Sequence, residues 1–522
     1  MVVFPHDALE AGGARVMGRT RESQDAALTE SRERKTILRD FGQEIAARYR
    51  LSIGFGLFWA WVWLVFQTTF FSPAFLVESG VPIPGWIIPL SAYAVTFLVL
   101  GALFRIKRVV PRGSWYVRAI PAVMSFGTLV CGILTFSPLL NPAVNSVVFC
   151  IGGLLMGAGT SCFHVEWGRM LGHLGPRKTI LHGIVGTVLA AAFLVFITSF
   201  STVFLWVIAF FIPILSMRLL GAEARSVHHL YPPVTDVQLN VPRRFLATSF
   251  TQGLSLGIVQ TILLTGNYDG PVVALTASSF ALSAVILLVC ALFFRMDFNQ
   301  LIYQVGFLVM ALGYLLMSLV TPDFIGALLV QMTGYRFVDI MMWALCVYLI
   351  KQRGLPTNWV FAITTCFLLL GQLTGAVLGS ATMAVIPLSG EGAYSLSIVM
   401  VFVLLALALL LSDRKNLQTG WGMVRPGDAE SPPGNFEMGC TLVCRKYDLT
   451  AREEEVFALL AKGRNRAYVC SELTLSKETV KTHIRNIYRK MGIHSQQEVF
   501  EAVEAEQRSF GFEEEAPHEM RI

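Results

Sequence analysis

Charge is in short supply in this sequence: of 522 residues only 15% are Asp, Glu, Lys or Arg, against 54% apolar. That balance excludes an ordinary soluble chain and points to a polytopic membrane protein. Cysteine is sparse as well. Nine in the whole chain are too few for a disulfide scaffold, and Cys131, Cys150, Cys162, Cys290, Cys346 and Cys366 lie in apolar runs, where they read as small buried hydrophobes. Cys440 and Cys444 stand in a polar stretch, but no second pair or neighbouring His completes a four-ligand metal site there. The sequence also lacks a nucleotide-binding glycine loop, a metal-ligand cluster and a nucleophile elbow. No catalytic residue, metal or cofactor is therefore expected, and the chain is not read as an enzyme.

What the sequence does have is apolar length. Twelve runs, each long enough to cross ~30 Å of hydrocarbon, occupy residues 51–71, 86–104, 119–140, 147–165, 179–198, 203–217, 245–266, 273–294, 301–319, 324–350, 357–384 and 394–412. The loops between them test this count independently. Loops after even-numbered spans carry Arg105, Lys107, Arg108, Arg112, Arg118, Arg169, Arg177, Lys178, Arg218, Arg225, Arg243, Arg244, Arg295, Lys351 and Arg353; loops after odd-numbered spans carry no Lys or Arg. Basic loops stay in the cytoplasm, so both termini are expected there, with the protein in a cytoplasmic (inner) membrane. A miscount by one span would break the alternation partway along.

Residues 1–50 hold nine Lys or Arg and eight Asp or Glu with no apolar core, the pattern of a solvated cytoplasmic arm without a cleavable signal. Met1 and Met17 are both candidate starts. The longest internal loop, Arg218 to Arg244, divides the spans into six and six. Over residues 51–412 this layout resembles the major facilitator fold, in which two six-helix halves enclose a midplane site. The resemblance implies an all-α bundle. The signature of that family between spans two and three, a Gly…Asp-Arg…Gly-Arg pattern, is absent; the loop reads RIKRVVPRGSWY.

Residues 413–448 contain Pro426, Gly427, Pro432, Pro433 and Gly434 among polar residues and read as a flexible linker. A coil of that length reaches ~33 Å. A compact module is expected over 449–507, followed by an acidic tail at 508–522. Thr450 with Glu453 and Ser495 with Glu498 form capping boxes, and Ser476 is a good N-cap. Val456, Leu459 and Leu460, then Val469 and Leu473, then Val480, Ile484, Ile487 and Met491 supply the apolar faces of short helices that break near Gly463, Thr474 and Gly492. The third helix carries Lys477, Lys481, Arg485, Arg489 and Lys490 against a single Glu478. A cationic stripe opposite an apolar face is what a helix needs to lie in a DNA major groove, and it is also the pattern of an ordinary solvated face.

Three stretches, LTAREEEVFALLAKG, LSKETVKTHIRNIYRKMGI and SQQEV, follow in the order found in LuxR/NarL-type helix-turn-helix regulators, which this segment resembles over about 55 residues. The resemblance implies that Lys481, Thr482 and Arg485 face base edges while Lys477, Arg489 and Lys490 hold phosphates. Where the family has Ser-Asn-Lys-Glu at the start of its second helix this chain has Asn465, Arg466, Ala467 and Tyr468, so Arg466 stands in for the usual Lys. The fourth helix, with Val499 and Val503 outward, resembles the family's dimer contact.

Ionisable residues within spans are costly and therefore candidates for function. Arg336 and Asp339, at i, i+3 in the tenth span, can neutralise one another, either as a structural pair or as a ligand contact. His164 and Glu166 lie near the inner end of the fourth span at an expected interface, and His182 lies just inside the fifth. Phe55, Trp59, Trp63, Phe66 and Phe70 give the first span an aromatic face, suited to packing or to stacking a ligand. Gly371, Gly375 and Gly379 read as a close helix contact. No phosphate-accepting segment precedes the carboxy-terminal module, so the membrane body is its only large source of input. The leading expectation is a one-component regulator whose body senses a small molecule and whose module binds promoter DNA. A transporter carrying an accessory DNA-binding domain and a plain membrane tether are the alternatives.

Overall fold

The computed structural model describes residues 39, 41–68, 70, 85–107, 114–136, 141–225, 239, 241–265, 272–293, 296–319, 325–353, 355–385, 391–412, 440, 443–444, 446–461, 463–473 and 475–509. The expected arm up to residue 38, the expected linker from 413 to 439 and the tail from 510 lie outside the described residues, as do Arg108, Arg112, Arg295 and Thr474.

The described elements are all helical. After a short helix at 41–47 come α1 (Tyr49–Phe66), α2 (Ile87–Lys107), α3 (Ser114–Phe136), α4 (Pro142–Leu174), α5 (Pro176–Thr198) and α6 (Thr202–Ala224). Then follow α7 (Arg243–Thr265), α8 (Val272–Phe293), α9 (a π-helical start, Gln300–Gly306, continuing as Phe307–Leu319), α10 (Ile325–Arg353), α11 (Thr357–Val385) and α12 (Glu391–Leu411). Among the described residues ten of these are long and apolar enough to cross a membrane. The two of the expected twelve that fall short are α12, whose apolar stretch Ser395–Leu411 is brief, and α7. The latter is less apolar because Thr248, Ser249, Thr251, Gln252, Ser255, Gln260 and Thr261 are all buried along it. The fourth helix also runs further than the expected 147–165, to Leu174, so Arg169 is a buried helix residue and not a loop cation.

Local sequence explains the ends. Asn141 caps α4 by accepting from Val144 N at 2.9 Å, with Pro142 in the first turn, where its missing N–H is not needed. Gly175, at φ 97°, then turns the chain directly into α5 through Pro176.

In packing, α1 lies on α5 and α6, α2 on α4, and α3 on α4 and α6; α7 lies on α11, α8 on α10, and α9 on α10 and α12. Contacts of α2 with α11, α5 with α8 and α10, and α4 with α10 and α11 join the two sets. The most enclosed helix is α10, with 89% of its span buried. Leu98, Phe196, Phe204, Phe402 and Leu409 by contrast point outward and exposed, the surface a bilayer covers.

The tightest seam joins α7 and α11. Gly371 and Gly375 face the carbonyls of Phe250 and Leu254 so closely that a Cβ on either would overlap them, and Gly253 and Gly257 return the same contact to Leu368 and Gln372. Gly379 is looser, with Thr261 Cβ 3.1 Å from where its Cβ would be.

The carboxy-terminal module comprises α13 (Ala451–Ala461), α14 (Arg466–Glu472), α15 (Lys477–Met491) and α16 (Gln496–Ser509). Thr450 N donates to Glu453 Oε2 at 2.9 Å, Ser495 Oγ donates to Glu498 Oε1 at 2.6 Å, and Ser476 Oγ accepts from Thr479 N at 3.2 Å. Gly492 ends α15 at φ 69°. The core holds Val456, Phe457, Leu460, Val469, Val480, Ile484, Ile487 and Met491. It begins earlier than residue 449: Cys440, Val443 and Cys444 pack into it. Burial pushes the Cys444 thiol up to about 12, which makes it an inert core residue at neutral pH. Val499 and Val503 also face this core and are fully buried. The outward orientation expected for them is corrected: α16 closes the small core with its only two β-branched apolar positions.

The glycine seam generates a paired prediction. Gly375→Ala should lower the unfolding temperature of the purified full-length chain in detergent, at an overpacking cost of ~1–3 kcal/mol. Gly221→Ala on α6, where a Cβ meets nothing within 4 Å, should leave it unchanged.

Candidate DNA interface and central cavity

The turn between α14 and α15 is fixed from both sides. Leu475 N donates to Cys470 O at 2.9 Å, and Arg452 Nη2 reaches across from α13 to Leu473 O at 3.1 Å. With Val480, Ile484, Ile487 and Met491 turned into the core, Lys477, Lys481, Thr482, Arg485 and Arg489 stand exposed on the other side of α15. Among the described residues these four cations have no ion-pair partner. Thr482 Oγ1 donates to Glu478 O at 2.9 Å, which holds its methyl and hydroxyl close to the helix surface. Arg466 is exposed at the start of α14, beside the Asn465 cap that accepts from Tyr468 N at 2.8 Å.

Lys490 differs from the rest of the stripe. Its Nζ donates to Asp448 O at 2.7 Å and to Glu453 Oε2 at 2.8 Å, tying the end of α15 to the cap of α13. The phosphate contact expected of it is corrected to an internal tie, because both hydrogen bonds hold the ammonium against the fold. Burial raises the Glu453 carboxyl, but the hydrogen bonds from Lys490 and Thr450 outweigh that and leave it below its ordinary range. Sequence reasoning missed this role because Lys490 continues the cationic stripe in composition while lying a step off it in angle.

In the bundle, Arg336 and Asp339 of α10 are paired and buried. The guanidinium also donates to Thr187 Oγ1 of α5 through Nη2 at 2.9 Å, and it lies 4.2 Å from the Trp59 ring and 5.0 Å from the Trp63 ring of α1. Gln252 Nε2 of α7 donates to Asp339 Oδ1 at 3.4 Å. Trp59 and Trp63 thus cover a cation of the protein's own, and Trp63 packs further on Phe280 at 4.0 Å.

His164 and Glu166, expected together at an interface, are both buried and face different ways. Tyr93 OH lies 2.6 Å from His164 Nδ1, and the imidazole packs at a tilt of 32° on Trp343, 4.4 Å between ring centres. Glu166 instead pairs with Arg169, whose Nη2 donates to Asn358 Oδ1 of α11 at 2.6 Å. That link lies away from His164, so Glu166 is corrected from a ligand contact to a helix-to-helix tie. His182 is fully buried with Nδ1 2.8 Å from Ser52 Oγ.

A central cavity opens among Trp59, Gln67, His164, Asp339, Trp343 and Gln372, with about 50 Å³ reachable by the centre of a water molecule. At ~10–15 Å³ for each water centre that is room for about four waters. Arg336, Trp63 and Glu166 do not line it. Gln67 and Gln372, which do, carried no sequence signal, because a lone amide at a span end or in a glycine-rich span reads as ordinary helix polarity. Gln372 Nε2 donates to Gln260 Oε1 at 2.6 Å. Among the described residues no group of His, Cys, Asp and Glu is placed to hold a metal ion.

Residues 448–503 match the family model of bacterial regulatory proteins, luxR family. The same part of the chain is 34% identical over 68 residues to the HTH-type transcriptional regulator MalT of Serratia proteamaculans, and 41% identical over 64 residues to MalT of Yersinia pestis. These stretches are 13% and 12% of this chain and 8% and 7% of the relatives, so the chain spans less than a tenth of the curated relatives it matches. Two solved structures align with the helical body. A bacterial homologue of the iron transporter ferroportin, in an outward-facing state, is 16% identical with a TM-score of 0.49, covering 70% of this chain and 97% of that one. The human organic anion transporter MFSD10 is 12% identical with a TM-score of 0.49, covering 71% and 99%. The chain therefore carries a luxR-family helix-turn-helix at residues 448–503, joined to a multi-pass bundle of apolar helices.

Proposed function

We propose that this chain is a one-component, membrane-embedded transcriptional regulator whose body senses a small molecule and whose module binds promoter DNA. The observation that carries the reading is the exposed cationic face of α15 on a luxR-family module attached to a bundle with a small, mostly apolar central cavity. The body is read as twelve spans in two six-helix halves. Support for this comes from its helix contacts: α1 with α5, α2 with α4, α3 with α4 and α6 recur as α7 with α11, α8 with α10, α9 with α10 and α12. Both termini are read as cytoplasmic and the membrane as the inner one; the distribution of Lys and Arg among the loops supports the orientation. No catalytic step is assigned to any residue.

On the DNA, Lys481, Thr482 and Arg485 are assigned to base edges, and Lys477, Arg489 and Arg466 to phosphates. A homodimer through α16 would rest on half-exposed Phe500 and Ala502, since Val499 and Val503 lie inside the core. Control is a matter of linkage: a ligand shifts the module only by its differential affinity for two states of the body. About 5.5 kcal/mol would be needed to move a 1:99 population to 99:1, so a graded response is expected. A transporter with an accessory DNA-binding domain is the second reading, favoured by the same cavity; saturable flux into vesicles would support it.

Duplex binding by the full-length chain in lipid nanodiscs tests the assignments. Arg485→Ala or Lys481→Ala should cost ~1–3 kcal/mol on the cognate site and little on random duplex. Lys477→Ala should weaken both alike and reduce the salt slope by about 1. Equal losses on both duplexes for all three variants would contradict the assigned roles.

Lys490→Ala should behave differently from both. It should leave the salt slope in place and destabilise the module by about 1 to 2 kcal/mol at neutral pH. Because the Glu453 carboxyl is held below its ordinary range, its contribution is present above the unfolded-state carboxylate pKa and is lost as pH falls through the folded one. The gap between wild type and Lys490→Ala in thermal melts should therefore close on acidification.

A further inference from the structure

The cations of the carboxy-terminal module differ in what holds them. Lys490 and Arg452 are tied to carboxylates, those of Glu453 and Glu455. Arg464, in the turn between α13 and α14, is held by a ring instead. Its guanidinium carbon lies 4.8 Å from the centre of the Tyr468 ring, one turn into α14. Among the described residues no carboxylate stands within ion-pair distance of Arg464, and no oxygen accepts from its side chain. A ring face attracts the charge but offers no oxygen to its N–H groups, so those donors remain for an anion.

The turn leaves this residue little freedom. Gly463, at φ 75°, lets the chain leave α13. Arg464 N donates to Leu459 O at 3.0 Å, and Gln496 Nε2 of α16 donates to Arg464 O at 3.1 Å. The backbone is thus fixed by α13 and α16, and the side chain by α14. A long cation ordinarily loses rotamer freedom when it meets a phosphate; here much of that ordering is done in advance. The place is suitable as well. In a helix-turn-helix the first helix crosses the DNA backbone while the second enters the groove. Burial raises the Tyr488 phenol of α15 above its ordinary range and the Arg466 guanidinium opposes that, which puts the start of α14 beside the end of α15 that carries Arg489.

We propose that Arg464 contacts a DNA backbone phosphate and that Tyr468 is its positioning residue, the ring holding the guanidinium in place while its N–H groups meet the phosphate oxygens. The inference rests on reading the module as a DNA binder. It carries the line of phosphate contacts from Arg489 and Arg466 on to the turn before α14. Ala467, exposed between Arg466 and Tyr468, has no group that could make this contact. A phosphate contact fixes how the module sits on the duplex and carries no base preference of its own.

The test measures binding of the full-length chain in lipid nanodiscs to a labelled random-sequence duplex over a range of KCl concentrations, with thermal melts on the same samples. Arg464→Ala should weaken binding about three- to tenfold at the low-salt end and reduce the salt slope by about 1. Arg464→Lys keeps the charge and should keep the slope. Tyr468→Leu changes no charge, yet it should weaken binding about threefold, whereas Tyr468→Phe keeps the ring and should match wild type. A pair that only stabilised the fold would move the melts and leave the slope where it was. Should Tyr468→Leu fail to fold, the comparison of Arg464→Ala with Arg464→Lys decides. The proposal is overturned if Arg464→Ala retains the wild-type slope, or if folded Tyr468→Leu binds as wild type does. A slope reduced by Lys477→Ala but not by Arg464→Ala would keep the DNA-binding reading and reject this contact alone; a wild-type chain that binds no duplex would overturn both.

Discussion

A guanidinium and a carboxylate enclosed in an apolar bundle must find each other and must also satisfy their remaining hydrogen-bonding groups, or the burial is prohibitive. In this protein the solution recruits four helices. Arg336 and Asp339 of α10 pair with each other, Thr187 of α5 and Gln252 of α7 take further bonds, and Trp59 and Trp63 of α1 lie over the guanidinium. Those helices come from both parts of the bundle, so the pair fixes the geometry between them. A change in how α1 and α5 sit against α7 and α10 has to pass through it.

Several other features are arranged around that centre. The cavity shares Trp59 and Asp339 with the pair, so an occupant touches the groups that hold the helices together. Close glycine packing makes α7 and α11 a nearly rigid unit, and the π-helical start of α9 lies where Gly306 meets Val338 of α10 too closely to admit a Cβ. Such π stretches accommodate an extra residue at a place where a helix must bend or give. Rigid seams with one adaptable helix are the parts from which a two-state body is built. At the other end of the chain, the module's small core starts at Cys440, inside the segment 413–448 expected to be linker.

Much of this was legible in the sequence, and the physical reasons differ by element. Long apolar runs have to be helices in a bilayer because every backbone group must be satisfied within the segment. The capping boxes at Thr450 and Ser495 and the N-cap at Ser476 are local chemistry, complete within four residues. The pairing of Arg336 with Asp339 is local in the same sense, one helical turn apart. What could not be read was long-range: that Trp59 covers Arg336, that His164 and Glu166 diverge, that Gln67 and Gln372 reach a shared cavity, and that Lys490 turns back to Glu453. Val499 and Val503 were misread because periodicity identifies an apolar face without saying whether it meets its own core or a second chain.

The central claim is that the state of the membrane body is read out on DNA through the geometry this ion pair holds. Its most direct test removes the pair without leaving a buried charge alone. Replacing Arg336 by Met and Asp339 by Leu together keeps volume and neutrality, a change that buried pairs often tolerate, while deleting the bonds to Thr187 and Gln252. Cognate-duplex affinity of the doubly substituted full-length chain in nanodiscs should then differ from wild type, although α15 is untouched. A folded double variant with wild-type DNA affinity would contradict the account and leave the bundle as an anchor.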